Sequence, residues 1–125
     1  MKCVEACLRI IWECRTNGAL QFWALENPRG FLRQFLGNPP FTFEHWQYGD
    51  RQIKPTDIWG YFNKPTKLVR VKPARLTKRF GSRINGRGWA KPKLPKHLTH
   101  LKLSRAALRA ITPQGFAQAF FKANP

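Results

Sequence analysis

Apolar residues recur at intervals of three and four near the start of the chain. Within residues 3–15 the apolar positions are Cys3, Val4, Cys7, Leu8, Ile10, Ile11 and Cys14. Because this spacing places them on one side of a helix, it predicts an amphipathic α-helix. Asn17 and Gly18 commonly end a helix, and the mostly apolar run at residues 20–25 predicts a buried strand.

Glu26, Asn27 and Pro28 follow this predicted strand, where the chain must leave the sheet. A helix, a tight turn and a strand make up half of a βαβ unit, so the order predicts an α/β fold of partial doubly wound type. Functional groups of such sheets lie at the carboxyl ends of strands. We therefore expect Glu26 in a turn that Pro28 holds stiffly by fixing its own backbone angle.

Shorter patterns continue this predicted domain to residue 62. Residues 30–36 predict a short helix closed by Gly37. Its apolar face would comprise Phe31, Leu32, Phe35 and Leu36. Residues 41–44 predict a half-buried strand, residues 47–50 a loop, and residues 58–62 an apolar patch that packs on the sheet.

Regular periodicity is lost after residue 62 and returns near the end of the chain. Between residues 63 and 100, closely spaced proline, glycine and basic residues predict an irregular arm. Thr112 as N-cap and Pro113 then predict a final short helix. Its apolar face would comprise Phe116, Ala117, Phe120 and Phe121. We expect an α/β domain at 1–62, a basic arm at 63–100, and a helical segment at 101–125 that packs back on the domain.

Composition limits the possible classes of protein. A chain of 125 residues with 42% hydrophobic residues, five Trp and ten Phe supports one compact domain and is too apolar to be wholly disordered. Charges interrupt the long apolar runs, so we expect neither a bilayer-spanning helix nor a secretory signal. Three cysteines within the first 14 residues favour a reducing compartment, and we expect a cytoplasmic protein.

The charges are distributed very unevenly along the chain. Residues 1–57 hold seven Lys and Arg against six Asp and Glu, whereas residues 58–125 hold sixteen Lys and Arg and no carboxylate side chain. The net charge is +17. A basic segment without internal counter-charges repels itself unless a polyanion neutralises it, and nucleic-acid phosphate is the commonest such partner.

Five basic residues of the arm are the preferred phosphate contacts, because the glycines among them let the backbone approach a ligand. They are Arg75, Lys78, Arg79, Arg83 and Arg87. Phe80 and Trp89 lie among them and can stack on bases or anchor the arm onto the domain. The alternative is a solvated tail, although Lys and Arg without Asp or Glu do not form a mixed-sign solvated surface.

Four blocks of sequence carry a resemblance to a known family. They are WALENPRGFL at residues 23–32, QYGD at 47–50, KPTDIWG at 54–60 and a closing segment at 109–124. Together they resemble the C-terminal half of phage and prophage DNA cytosine methyltransferases. The resemblance implies a Rossmann-like fold, DNA as partner, and the cytoplasm of a phage-infected or lysogenic bacterial cell. It also implies that Glu26 contacts the target cytosine and that Asn27 holds the shape of the turn.

A glutamate at that position suits the chemistry of the family. Carbon 6 of cytosine is a poor electrophile until the ring nitrogen gains positive character, and a carboxyl group beside that edge can hydrogen-bond to it or protonate it. The base must also leave the duplex to reach such a pocket, so a rigid support is appropriate.

Two features that the family requires are missing from this sequence. It has no glycine-rich turn for S-adenosylmethionine and no Pro-Cys loop for the nucleophile. Cys3, Cys7 and Cys14 each lack a preceding proline. S-adenosylmethionine is therefore implied only by the resemblance, and methyl transfer would need an N-terminal methyltransferase half supplied by another chain. A small basic nucleic-acid-binding accessory protein without catalysis is the alternative function.

Several single residues have more than one interpretation. Glu26 can be a strand-end carboxylate paired with Arg29 or Arg33 instead of a base contact. His45 and Trp46 can line the same cleft as Glu26, although an aromatic strand end is more often core packing.

The cysteines allow two interpretations as well. They can be small core-facing residues. A tetrahedral metal site from Cys3 and Cys7 with His97 and His100 matches no known spacing, so no metal is expected.

Overall fold

Three strands form a sheet at the centre of the fold. The computed structural model describes residues 2–50, 52–73, 94 and 96–125. The strands are β1 (Trp23–Pro28), β2 (Phe41–Glu44) and β3 (Pro55–Tyr61). Their order is β1-β3-β2, so β3 lies in the middle, and both neighbours run antiparallel to it.

The strand register divides residues between the two faces of the sheet. Residues directly opposite each other in an antiparallel pair project to the same face. Asn27, Asp57 and Thr42 therefore form a polar row across one face. Glu26 lies on the other face beside Ile58, which is buried.

The prediction of an α/β protein is confirmed, because helices accompany this sheet. A doubly wound sheet is mostly parallel, whereas both strand pairings within residues 23–61 are antiparallel. The predicted order of helix, turn and strand is present. An apolar run indicates that a strand is buried, but it does not give the direction of the strands that pair with it.

Four α-helices lie in the described part of the chain. They are α1 (Lys2–Thr16), α2 (Arg33–Leu36), α3 (Arg105–Ala110) and α4 (Gln114–Ala123). Two 3₁₀ turns, His45–Tyr48 and Lys96–Leu98, complete the regular structure described. The first of these turns occupies part of the segment predicted as a loop.

Helix α1 confirms the prediction from periodicity, but its apolar side is covered only in part. None of its residues is buried, and Leu8 and Ile10 are exposed. Cys3 is exposed, Cys7 and Cys14 are half-buried, and all three are free thiols. The interpretation of the cysteines as core residues is therefore wrong, because periodicity identifies the apolar side of a helix and not what packs against it.

Side chains from β2, the first 3₁₀ turn, β3 and α4 form the core. Its buried members are Phe43, Tyr48, Ile58 and Phe116. The rings of Phe43 and Phe116 stack with centroids 4.0 Å apart, and Tyr48 meets both rings edge-on. Aromatic packing of this kind stabilises beyond the area that it buries. Helix α4 therefore covers the sheet face that carries Ile58.

The start and the buried face of α4 differ from the prediction. Pro113 and not Thr112 occupies the N-cap position, and no side-chain capping bond forms there. Phe116 is buried as predicted, whereas Ala117 and Phe121 are exposed. Phe120 packs against the core as predicted, and Ala119, which was not predicted, packs there as well.

Residues 63–73 lie along the fold without regular secondary structure. The hydroxyl of Tyr48 donates a hydrogen bond to the carbonyl oxygen of Pro65 at 3.0 Å. The backbone amides of Leu68 and Val69 donate to the carbonyl oxygen of Gln47 at 3.0 and 2.9 Å. These bonds hold the first part of the basic arm against the 3₁₀ turn His45–Tyr48.

A pair of asparagines ties the end of α4 to the same part of the arm. The side-chain oxygen of Asn124 accepts from the backbone amide of Asn63 at 2.7 Å, and its amide nitrogen donates to the carbonyl oxygen of Asn63 at 3.0 Å. The Asn63 side chain donates to the carbonyl oxygen of Ala123 at 2.9 Å. The chain end is therefore attached by polar bonds as well as by the aromatic core.

Candidate functional site

Glu26, Asn27 and Pro28 are the last three residues of β1, and not a turn after it. They lie opposite Ile58, Asp57 and Thr56 of β3. The expectation of a turn is therefore wrong: the strand begins at Trp23, three residues later than the apolar run suggested, and continues through Pro28. Pro28 is compatible with this position because β1 is an edge strand, where a missing backbone donor is tolerated.

The side chain of Glu26 is exposed on the face that α4 covers in part. Its Oε2 atom accepts a hydrogen bond from the hydroxyl of Thr112 at 3.2 Å. Glu26 makes no ion pair with Arg29 or Arg33, because both arginines pair with a different carboxylate. The interpretation of Glu26 as a salt-bridged strand end is therefore wrong, and its carboxylate stands at the surface.

The carboxylate that holds both arginines belongs to Asp57 at the centre of β3. Asp57 is completely buried. Arg33 binds it through two hydrogen bonds, from Nε to Oδ2 at 2.6 Å and from Nη2 to Oδ1 at 2.7 Å. Arg29 adds a looser contact of 3.7 Å between Nε and Oδ1. The hydrogen bonds that Arg33 donates to Asp57 raise the pKa of Arg33, so this guanidinium stays charged.

Asn27 is half-buried beside Asp57 in the polar row of the sheet. Its side-chain amide donates to the carbonyl oxygen of Pro28 at 2.8 Å. This bond fixes the backbone at the end of β1. This contact agrees with the expectation that Asn27 holds the shape of the local backbone. The role of Asn27 in a catalytic site stays a prediction.

The segment after β1 turns two phenylalanine rings to solvent. Phe31 and Phe35 are exposed, and their ring centroids lie 5.1 Å apart in an edge-on arrangement. Leu32 is buried and Leu36 is half-buried. The predicted single apolar face of this helix is therefore wrong: the helix spans only Arg33–Leu36, so the leucines turn inward and the phenylalanines turn outward.

His45 and Trp46 lie in the core and not in a cleft with Glu26. Both side chains are buried. Nε2 of His45 lies 3.3 Å from the hydroxyl oxygen of Thr56, and the indole nitrogen of Trp46 donates to Glu44. Core packing is therefore the correct interpretation of this aromatic strand end.

Some of the basic residues of the arm lie within the described part of the chain. Lys64, Arg70 and Lys72 are exposed on the first part of the arm, and Lys67 lies with its ammonium 5.6 Å from the ring centre of Phe41. The five preferred phosphate contacts lie outside the described residues. They are Arg75, Lys78, Arg79, Arg83 and Arg87.

Two clefts of the described structure lie away from Glu26. One, of about 720 Å³, lies between α4 and the start of the arm and is lined by residues including Leu68, Gly115 and Lys122. The other, of about 280 Å³, includes Arg15 and Tyr61. Glu26 lines neither of these two clefts, and its side chain is exposed at the surface.

Two further features concern metals and membranes. Across residues 2–50, 52–73, 94 and 96–125, no group of three or more His, Cys, Asp or Glu side chains converges as a metal ion would require. No helix within these same residues is both long enough and apolar enough to cross a bilayer.

Sequence reasoning missed two parts of this site: the Asp57 cluster and the contact between Glu26 and Thr112. The sequence does contain one signal for the Asp57 cluster, because Asp57 precedes Ile58 and Trp59 in an apolar strand. A carboxylate in such a strand needs a cationic partner. The contact with Thr112 spans 86 residues and has no local signature.

The chain has no counterpart in three comparisons with known proteins. No protein-family model matches it, and no curated protein or solved structure does so either.

Proposed function

We propose that this chain binds duplex DNA through its basic rear part and is the C-terminal portion of a DNA cytosine methyltransferase-like protein. One observation carries the proposal of DNA binding: residues 58–125 contain sixteen Lys and Arg and no carboxylate side chain. Such a segment binds phosphate chiefly by releasing condensed counter-ions. The contact is then strong at low salt and independent of sequence.

The contacts of the first part of the arm support this proposal. Lys64 and Arg70 are exposed on a segment that Pro65, Leu68 and Val69 attach to the folded domain. Attached cations lose less conformational freedom on binding than cations on a free tail. The first basic residues of the arm are therefore held at a fixed position on the folded domain.

The two edge strands of the described sheet support a partner chain. Strands β1 and β2 are both edge strands of a three-stranded antiparallel sheet. Large doubly wound sheets commonly carry antiparallel strands at one edge. We propose that this sheet extends a Rossmann-like sheet supplied by an N-terminal half, which would also supply the S-adenosylmethionine site and the nucleophile.

The surface position of Glu26 supports its role as a target-base contact. Its carboxylate is exposed and has the hydroxyl of Thr112 as a hydrogen-bond partner. Asn27 fixes the backbone beside it through the bond to Pro28. An extruded cytosine would displace the hydroxyl of Thr112 from Glu26. The carboxyl group in its protonated form would then donate a hydrogen bond to the ring nitrogen of the base.

DNA binding is tested by removing two charges from the arm. The variant Arg83→Gln/Arg87→Gln is expected to bind a fluorescent 20-base-pair duplex about tenfold more weakly at 100 mM salt, uniformly across sequences, because each lost phosphate contact removes released counter-ions. Fluorescence anisotropy measures the dissociation constant. The matched control Arg9→Gln/Arg15→Gln removes the same charge from helix α1 and is expected to change affinity less than twofold.

Equal losses in the two variants would contradict a specific role of the arm and would indicate that only net charge matters. If the wild-type chain does not bind the duplex at 50 mM salt, the proposed function is wrong.

A methyl-transfer assay separates the methyltransferase-like proposal from the accessory-protein alternative. The chain alone is expected to transfer no labelled methyl group to DNA. Together with a polypeptide encoded beside it that carries the glycine-rich turn and the Pro-Cys loop, it is expected to do so. Glu26→Gln should abolish this transfer, whereas Glu5→Gln on α1 should leave it unchanged. If both halves together transfer no methyl group, the accessory-protein function is favoured.

A further inference from the structure

The segment that follows β1 exposes two neighbouring aromatic rings. The exposed fractions are 67% for Phe31 and 50% for Phe35, and the rings meet edge-on with centroids 5.1 Å apart. The rings therefore form one apolar projection and not two isolated side chains. Paired exposed aromatic rings with polar neighbours are typical of binding surfaces.

The backbone below these rings is held firmly. Leu32 lies between them in sequence and is buried. The amide of Gly37 donates to the carbonyl oxygen of Arg33 at 3.0 Å, and the carbonyl oxygen of Gly37 accepts from the indole nitrogen of Trp59 at 3.0 Å. A contact made by rings on such a support has a small cost in conformational entropy.

Two arginines lie on the same segment of the chain as these rings. Arg29 and Arg33 both pair with the single carboxylate of Asp57, so the cluster keeps one uncompensated positive charge. Arg33 uses two of its donors on Asp57, while Arg29 has a half-exposed side chain and contacts Asp57 only at 3.7 Å. The guanidinium of Arg29 therefore retains donors that face solvent.

Flat apolar rings beside guanidinium donors match the chemistry of nucleic acids better than that of other partners. A nucleic acid carries planar bases beside phosphate oxygens, and DNA-binding proteins insert phenylalanine side chains between base steps for this reason. An acidic peptide would satisfy the arginines, but it would not need two rings that project together. The positive charge of the arginines and the flat shape of the two rings therefore both favour a nucleic acid as the partner.

We propose that Phe31 and Phe35 form an aromatic wedge that inserts at a base step of DNA, with Arg29 donating to an adjacent phosphate. This inference rests on the proposed function, because it names the part of the domain that contacts the bases. Arg33 holds the wedge in place through Asp57. Partial unstacking at that step lowers the cost of extruding a neighbouring base.

The experiment uses the full chain and a duplex that contains 2-aminopurine, whose fluorescence rises when its stacking is lost. Wild-type protein is expected to raise this fluorescence on binding. Phe31→Ala/Phe35→Ala is expected to raise it by less than one fifth as much and to bind at least tenfold more weakly, because both stacking contacts are lost. Trp12→Ala removes a ring of similar exposure, 65%, from helix α1 and should behave like the wild type.

Circular dichroism and the melting temperature establish that the double variant is folded, which is expected because both rings are exposed. If the wild-type protein binds DNA and the double variant gives the same affinity and the same fluorescence, the wedge is overturned and the proposed function stays intact. Absence of wild-type binding would reject the proposed function itself. A double variant that loses self-association in size-exclusion chromatography, with unchanged DNA binding, would assign the rings to a protein interface and would also overturn the wedge.

Discussion

Replacing Phe43 with alanine is expected to lower the free energy of unfolding by about 3–5 kcal/mol, the typical range for a buried phenylalanine. Phe43 is only 2% exposed and contacts Phe116, Tyr48 and His45 through its ring. Its removal would break the contact between β2 and α4. This contact holds the end of the chain on the sheet. A domain of this size has a total stability of roughly 5–15 kcal/mol, so the loss is a large fraction.

Urea unfolding followed by circular dichroism measures this effect. Phe121→Ala is the matched control, because it removes the same ring from a position that is 75% exposed on the same helix as Phe116. Its effect is expected to stay within about 0.5 kcal/mol. Similar losses in the two variants would contradict the packing of α4 on the sheet.

Acidification is expected to destabilise the protein through His45. Burial, with a smaller contribution from the charge of Lys54, lowers the pKa of His45 from 6.5 to about 4, although a hydrogen bond with Gln52 opposes this shift. The native histidine therefore stays neutral below pH 6.5, while the unfolded chain takes up a proton. Stability that is fully present above pH 6.5 is lost as the pH falls towards 4, and the loss between pH 6.5 and pH 5 is about 2 kcal/mol.

The free energy of unfolding at pH 7 and at pH 5 measures this contribution. His45→Gln should be less stable at pH 7 but should lose about 2 kcal/mol less than the wild type between the two pH values. The control His100→Gln changes an exposed histidine and should keep the acid loss of the wild type. An NMR titration that gives His45 an ordinary pKa would contradict this explanation without requiring the variant to fold.

Local periodicity was sufficient to predict those elements whose signal lies within a few residues. The spacing of Val4, Cys7, Ile11 and Cys14 predicts α1, and the alternation in Phe41–Glu44 predicts β2. Both are confirmed because amphipathic patterns follow directly from the geometry of helices and strands. The final helix was also identified, although its N-cap and part of its buried face were not.

The features that the sequence did not reveal depend on contacts between distant residues. Glu26 belongs to a strand because β3 pairs with it, and an apolar run cannot indicate where such pairing stops. Phe31 and Phe35 face solvent because Leu32 and Arg33 are drawn to the sheet, the latter by Asp57. A helix of only four residues is too short for periodicity to assign its faces.

The candidate site was therefore predicted in part. Glu26 and Asn27 lie together at the end of β1, and Asn27 makes a local bond that stiffens the backbone, as the sequence suggested. The pairing of Arg29 and Arg33 with Asp57 and the exposure of Phe31 and Phe35 came from the structure alone. The phosphate-contacting role of Arg75 through Arg87 stays a prediction from charge and glycine spacing.

The salt dependence of DNA affinity tests the central claim most directly. For the five predicted phosphate contacts of the arm, a plot of log association constant against log salt concentration should have a slope of about −4.5, since each contact contributes roughly −0.9. Affinity would then fall several hundredfold between 50 and 200 mM salt, equally for unrelated duplex sequences. A slope near zero, or no binding at 50 mM salt, would contradict the claim that the basic rear of this chain holds DNA.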